Sequence, residues 1–143
     1  MEKMKEEDLD QVMEIEEKSF SDPWNRSFFL QDLDSESALP LVAKVSERVA
    51  GYVCLWKILD EMQISNIAVS PELRRRGIGK RMMEKILKKA EEGDCRRITL
   101  DVRVSNQPAI GLYKKFGFRK AGQRKEYYRH PAEDALILEK VLK

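Results

Sequence analysis

Residues 67–83 read IAVSPELRRRGIGKRMM. An apolar strand end meets a proline, three arginines, a glycine-x-glycine pair and a lysine, and then an apolar helical period begins. Glycines between a strand and a helix let bare backbone N–H groups approach a ligand. The helix N-terminus behind them carries roughly half a positive charge. Arg74, Arg75, Arg76 and Lys80 add formal charge around Gly77, Ile78 and Gly79, so the stretch suits a phosphate or pyrophosphate. Two common phosphate loops do not fit. A Walker loop needs a glycine at position 74 and Ser or Thr at 81, where Arg74 and Arg81 stand. A dinucleotide fingerprint needs a third glycine where Met82 stands. The plainer reading is a basic turn whose glycine merely starts a helix.

The flanking sequence gives the order of elements. Downstream, Met82, Met83, Ile86, Leu87 and Ala90 recur at helical spacing, with Gly93 as the expected C-terminal cap. CRRITLDVRV then reads as a strand. SNQPAIGLYKKFG reads as a short helix, capped at Ser105 or Asn106 and stopped by Gly117. FRKAGQRKEYY and ALILEKVL read as two final strands. Upstream, residues 6–18 carry Leu9, Val12, Met13, Ile15 and Glu16 on a helical period, and a second helix is expected over about 25–33. LPLVAKVS and RVAGYVCLWKI read as a hairpin turning at Glu47-Arg48, with EMQISNIAVS as the third strand. The order α-α-β-β-β-α-β-α-β-β mixes a crossover with hairpins. It predicts a mixed sheet with helices on both faces, in one domain over residues 1–143.

Composition narrows the function classes. Of 143 residues, 42% are hydrophobic and 36% charged, which fits a soluble protein with a continuous core. No apolar run reaches the roughly 20 residues of a membrane-spanning helix, and the acidic N-terminus does not resemble a signal peptide. Cys54 and Cys95 have no metal or redox spacing. The expectation is a cytoplasmic protein without disulfides, metal or membrane contact. Residues 1–36 hold twelve acidic and four basic side chains, a balance of −8, against +10 for the remainder. This reads either as an acidic rim that attracts a cationic partner or as two solvated faces of opposite sign.

A second motif lies further on, RVSNQPAIGLYKKFGF at 103–118. Together with Arg74, Gly77 and Gly79 in the spacing R-x-x-G-x-G, it resembles the GNAT family of N-acetyltransferases. Within that family it is most similar to the RimI-like enzymes that acetylate the N-terminal alanine of ribosomal proteins. LDEMQISNIAV and the pair Tyr127-Tyr128 add to the likeness. The resemblance implies an α/β (α+β) fold of the GNAT type. Its mostly antiparallel sheet of six or seven strands splays at the centre. The resemblance also implies acetyl-CoA as donor. Its pyrophosphate would lie on the backbone of Arg75 to Lys80. Its pantetheine arm would pair with Ile67, Ala68 and Val69, and Asn106 would bond to it from the other side.

Acetyl transfer to an amine needs a neutral nucleophile, although an α-amino group has a pKa near ~8. It also needs fixed donors for the thioester oxygen and a proton for the departing thiolate. By resemblance, backbone N–H groups at Ile67 to Val69 supply the donors, and Tyr113 is the acid. On the residues alone, Tyr113 reads as a core aromatic beside Ala109, Leu112 and Phe116. The position of the family's glutamate base is Asp101, one methylene shorter, with a relaying water to cover the shortfall. The plainer reading pairs Asp101 with Arg97 or Arg103. Glu61 is the rival base.

The resemblance implies a clasp for a protein N-terminus, formed by the segments 20–29 and 127–131. Phe20, Trp24, Phe28, Tyr127 and Tyr128 would narrow it, with one of Phe28 and Phe29 in the core. A basic ribosomal protein tail fits the acidic first third. The alternatives are a lysine or small-amine acetyltransferase of the same fold, a non-catalytic coenzyme A sensor, and a basic RNA-binding module over 74–97. The last lacks stacking aromatics, so no direct nucleic-acid contact is expected.

Overall fold

The apolar positions Leu9, Val12 and Ile15 form the buried face of helix α1 (Leu9–Ser19), preceded by a 3₁₀ turn at Glu6–Asp8. Asn25 starts α2 (Arg26–Asp34) by accepting the N–H of Phe28 on its side chain at 3.3 Å. This computed structural model describes all of residues 1–143. One element was not foreseen: Glu2–Lys3 form a two-residue strand, β1, antiparallel to the next strand. Two residues are too few to show a period, so only tertiary pairing reveals it.

Strands β2 (Ala38–Val45) and β3 (Arg48–Ile58) form the expected hairpin, but the turn is Ser46-Glu47 rather than Glu47-Arg48. Both turn residues have positive φ, 50° and 68°, as a two-residue turn matched to strand twist demands. Ser-Glu is not the usual sequence for such a turn, which is why the boundary moved. Strand β4 (Glu61–Val69) follows, then a 3₁₀ turn at Pro71–Leu73 and helix α3 (Ile78–Glu92). Gly93 ends α3 with φ −83°, and the left-handed residue is Asp94 at φ 59°. A short polar side chain tolerates that conformation. Strand β5 (Arg97–Arg103), helix α4 (Gln107–Lys115) and strands β6 (Arg119–Tyr128) and β7 (Glu133–Val141) complete the chain.

The seven strands make one sheet in the order β1-β2-β3-β4-β5-β7-β6. Only β4 and β5 pair in parallel, joined by the α3 crossover. The mixed, mostly antiparallel sheet thus matches the expectation. The sheet separates two cores. Met82, Met83, Ile86, Ile110 and Tyr113 of α3 and α4 fill one, while Leu9, Val12, Ile15 and Phe29 of α1 and α2 fill the other. Phe29 is the core member of its pair and Phe28 is 48% exposed. Cys54 and Cys95 are buried free thiols. No helix is long and apolar enough to cross a membrane.

A single extra residue breaks the regularity of β4. Cys54 pairs with Asn66, but Leu55 pairs with Ile64, leaving Ser65 as a bulge. Its Oγ donates to the Cys54 carbonyl at 3.0 Å. Because side chains alternate along a strand, one inserted residue swaps the faces. Met62 and Ile64 point into the α3/α4 core, whereas Asn66 and Ala68 face α1 and α2.

Candidate active site

The bulge also ends the parallel pairing. Strands β4 and β5 pair from Glu61 with Arg97 to Ile64 with Leu100 and no further. Beyond Ser65 the two strands splay. The N–H of Ser70 donates to Ala50 O at 2.7 Å, toward β3. Backbone groups in a strand alternate sides, so Ala68 and Asn66 also turn toward β3. Ile67 and Val69 therefore direct their N–H and C=O into the splay, where an extended ligand can add as a strand. Of the three residues expected to line the arm, Ala68 is the correction. Its main-chain groups belong to the β3 ladder and its side chain to the α1/α2 core.

The basic loop lies where the splayed strand leads into α3. Arg75 and Gly77 are both left-handed, at φ 67° and 76°, which turns successive N–H groups toward one side. The first helical bond runs from the Arg81 N–H to Gly77 O at 3.1 Å. The N–H groups of Ile78, Gly79 and Lys80 thus have no helical acceptor, and no side chain caps them. A Cβ on Gly79 would meet Leu112 Cδ2 at 3.4 Å and Val69 Cγ2 at 3.9 Å, so this glycine lets the first turn of α3 lie against α4 and the end of β4. Arg74 reaches Ser19 Oγ at 3.4 Å. Arg75, Arg76 and Lys80 form no ion pair. Asn106 caps α4 by accepting the Ala109 N–H at 3.4 Å. Its oxygen is therefore engaged, and its amide nitrogen is the group left to donate to a ligand.

Tyr113 takes the core position that the plainer reading of the sequence gives it. It is 5% exposed and belongs to the α3/α4 core, with its ring 5.8 Å from that of Phe118. Its hydroxyl has no protein hydrogen-bond partner, yet it is not among the oxygens sealed from solvent. Burial first, and the neighbouring Tyr128 second, push its pKa well above the usual phenol range. Asp101 lies on β5 with its side chain 20% exposed. Burial raises its pKa, and Arg124 opposes that shift. Its partner is Arg124 Nε at 3.8 Å rather than Arg97 or Arg103, which bind Glu139 and Glu133 at 3.2 and 3.1 Å. Tyr128 is pushed up to about 12 by burial and then by the charge of Asp101.

Glu61 is a correction. It opens β4, bound to Arg97, six residues before Ile67. At ~3.3 Å per residue it lies about 13 Å from Ser65, where the splay begins, and at most about 20 Å from Ile67, and its carboxylate is committed to the Arg97 guanidinium.

The aromatic segments lie on either side of one arginine. Trp24 is 5.9 Å from Phe28 and 5.1 Å from Phe29, and Phe20 and Trp24 pack half-buried on the α1/α2 core. Tyr127 is exposed and stands edge-on to half-buried Tyr128 at 5.1 Å. The Arg103 guanidinium stacks 4.5 Å over the Tyr128 ring. It donates to Ser21 Oγ at 3.4 Å, Arg129 O and Pro131 O at 3.0 Å, and Glu133 Oε1 at 3.1 Å. It thereby ties the α1–α2 loop to the β6–β7 tip. The sequence offered Arg103 only as part of a motif and as a partner for Asp101. Glu16, which the sequence shows only as a member of the helical period of α1, is a second such residue. It is 1% exposed and accepts three hydrogen bonds, from the Trp24 N–H at 2.9 Å, Asn66 Nδ2 at 2.7 Å and the Tyr52 hydroxyl at 2.5 Å. With Asp8 and Asp32 also buried, the acidic surface is smaller than the charge balance of residues 1–36 implied.

Known proteins are similar to this chain in sequence and fold. The acetyltransferase (GNAT) family profile matches residues 9–118. A Salmonella typhimurium [ribosomal protein bS18]-alanine N-acetyltransferase is 34% identical over 133 residues, covering 92% of this chain and 89% of that protein. A Bacillus subtilis protein that carries the same name provisionally is 45% identical over 136 residues, covering 94% and 90%. The crystal structure of the Escherichia coli ribosomal-protein-S18-alanine N-acetyltransferase superposes with a TM-score of 0.91 at 29% identity, covering 99% of this chain and 92% of that one. A splayed parallel pair, an uncapped basic helix start and a profile match over most of the chain lead to one conclusion: this chain belongs to the acetyltransferase (GNAT) family.

Proposed function

We propose that residues 1–143 act as one unit. That unit transfers the acetyl group of acetyl-CoA to the N-terminal α-amino group of a protein, with a ribosomal protein as the favoured acceptor. The observation that carries this reading is the splay after Ser65, which frees the main-chain groups of Ile67 and Val69, with Asp101 following Leu100, the last residue of β5 paired to β4. The names of the relatives at 34% and 45% identity support the acceptor class.

The chain's own groups divide the work. The N–H groups of Ile78, Gly79 and Lys80, with the arginines before them, hold the pyrophosphate by charge and by helix-end donors. Ile67 and Val69 register the pantetheine arm, and the amide nitrogen of Asn106 donates to it. Backbone N–H groups in the splay stabilise charge on the thioester oxygen. The amine forms a bond to the acetyl carbon and the carbon–sulfur bond breaks. Asp101 accepts the proton that the nitrogen loses, and Tyr113 gives one to the leaving sulfur. The aromatic residues Phe20, Trp24, Phe28, Tyr127 and Tyr128 narrow the acceptor slot, held in register by Arg103.

The test is incubation with acetyl-CoA and a panel of acceptors, followed by thiol release and product mass. The panel holds an N-terminal alanine peptide with a basic tail, the same peptide with a blocked terminus and a free lysine, and a polyamine. Turnover with the free-terminus peptide alone is expected. Turnover with the blocked peptide or the polyamine would move the acceptor to a side-chain or small amine. Coenzyme A binding without turnover would leave a sensor. Salt-dependent RNA binding without coenzyme A binding would sink the reading entirely.

A further inference from the structure

We propose that Glu16 is a positioning residue for the acceptor. Its buried carboxylate fixes the loop at residues 20–25 to the bulged end of β4 and so sets the distance between acceptor slot and thioester. The proposal rests on the transfer reading above. Burying a carboxylate costs several kcal/mol unless its lone pairs are satisfied, and an apolar residue of similar size would serve stability at least as well. Val12 and Ile15 on the same face of α1 are such residues. The three donors to Glu16 come from three separate segments. Oε2 takes the Trp24 N–H of the loop, and Oε1 takes the Tyr52 hydroxyl of β3 and Asn66 Nδ2 of β4. Asn66 follows the bulge directly and precedes Ile67, the first residue whose main chain turns into the splay. One carboxylate therefore spans from the acceptor side to the thioester side. From the side of β5, Arg103 donates to the loop at Ser21 Oγ.

The test uses Glu16→Gln in a Trp56→Phe background, where Trp24 is the one remaining tryptophan. The amide turns one accepting oxygen into a donor facing donors. Losing one hydrogen bond to a charged group predicts an acceptor KM raised about tenfold or more. The coenzyme A Kd should stay within about twofold, and acrylamide quenching of Trp24 should rise. Ile15→Ala, which thins the same helix face without touching the carboxylate, should leave the acceptor KM near wild type. An unchanged KM in Glu16→Gln, or an equal rise in Ile15→Ala, overturns the proposal. Should Glu16→Gln fail to fold, Asn66→Ala removes one donor from the carboxylate, and its acceptor KM must rise in the same direction. A wild-type protein that binds coenzyme A but acetylates no peptide terminus refutes the transfer reading instead, and Trp24 quenching still decides whether Glu16 docks the loop.

Discussion

Replacing Tyr113 with Phe separates chemistry from packing more cleanly than any other single change. The ring is buried against Phe118, so a core role alone would require the ring and nothing else. The hydroxyl makes no hydrogen bond within the protein. Removing it forfeits no protein partner, and Tyr113→Phe should change unfolding free energy by less than about 1 kcal/mol. As the acid for the departing thiolate, the same oxygen is worth about 10²-fold or more in kcat, close to 2.7 kcal/mol of barrier. Because burial holds the Tyr113 proton far above the usual phenol range, kcat should show no descending limb from this group at any pH where the protein is folded. The assay pairs urea unfolding with steady-state thiol release. A variant with native stability and native kcat would return Tyr113 to the core and refute the assignment. So would a variant that loses stability and kcat together.

Asp101→Asn should remove the ascending acid limb of kcat/KM while leaving coenzyme A affinity unchanged, and an unaltered pH profile would exclude Asp101 as the base. Its folded pKa is raised by burial, so the stability it contributes is full below its unfolded pKa and is lost as pH rises through the folded value. The Tm advantage of Asp101→Asn over wild type should therefore grow from acid toward neutral pH. Gly77→Ala puts a side chain at φ 76° with no neighbour within 4 Å, so its cost is conformational, about 1–2 kcal/mol. As the loop relaxes, the coenzyme A Kd read by calorimetry should rise about tenfold, and normal binding would refute the cradle. Arg103→Lys loses the stacked, forked contacts to four partners, and should raise acceptor KM while sparing coenzyme A affinity. Equal loss of both would make Arg103 a general structural residue.

Much of the fold was legible from local pattern. The helical periods of α1 and α3, the β-branched runs of β2 to β5 and the Asn106 cap are set by residues close together in sequence. The glycine pair with its arginines marked a basic helix start for the same reason, and the motif at 103–118 pointed to Tyr113 and to Asp101, two residues before its start. These signals depend on 2.0 and 3.6 residue periods and on backbone freedom, which a linear string displays.

What the string could not display was pairing across the sheet. The Ser65 bulge exists only because β3 and β4 register on each other, and it decides which of Ile67, Ala68 and Val69 faces the splay. Glu61 and Asp101 are both acids on adjacent strands. Only the parallel register places one against Arg97 far from the splay and the other near Tyr128. The sequence places Glu16 only on the helical period of α1, whereas in the fold Trp24, Tyr52 and Asn66 converge on it from 8, 36 and 50 residues away. Hydrophobic period and turn chemistry act between near neighbours. The desolvated polar contacts that shape this site act between residues that only the folded chain brings within 3 Å.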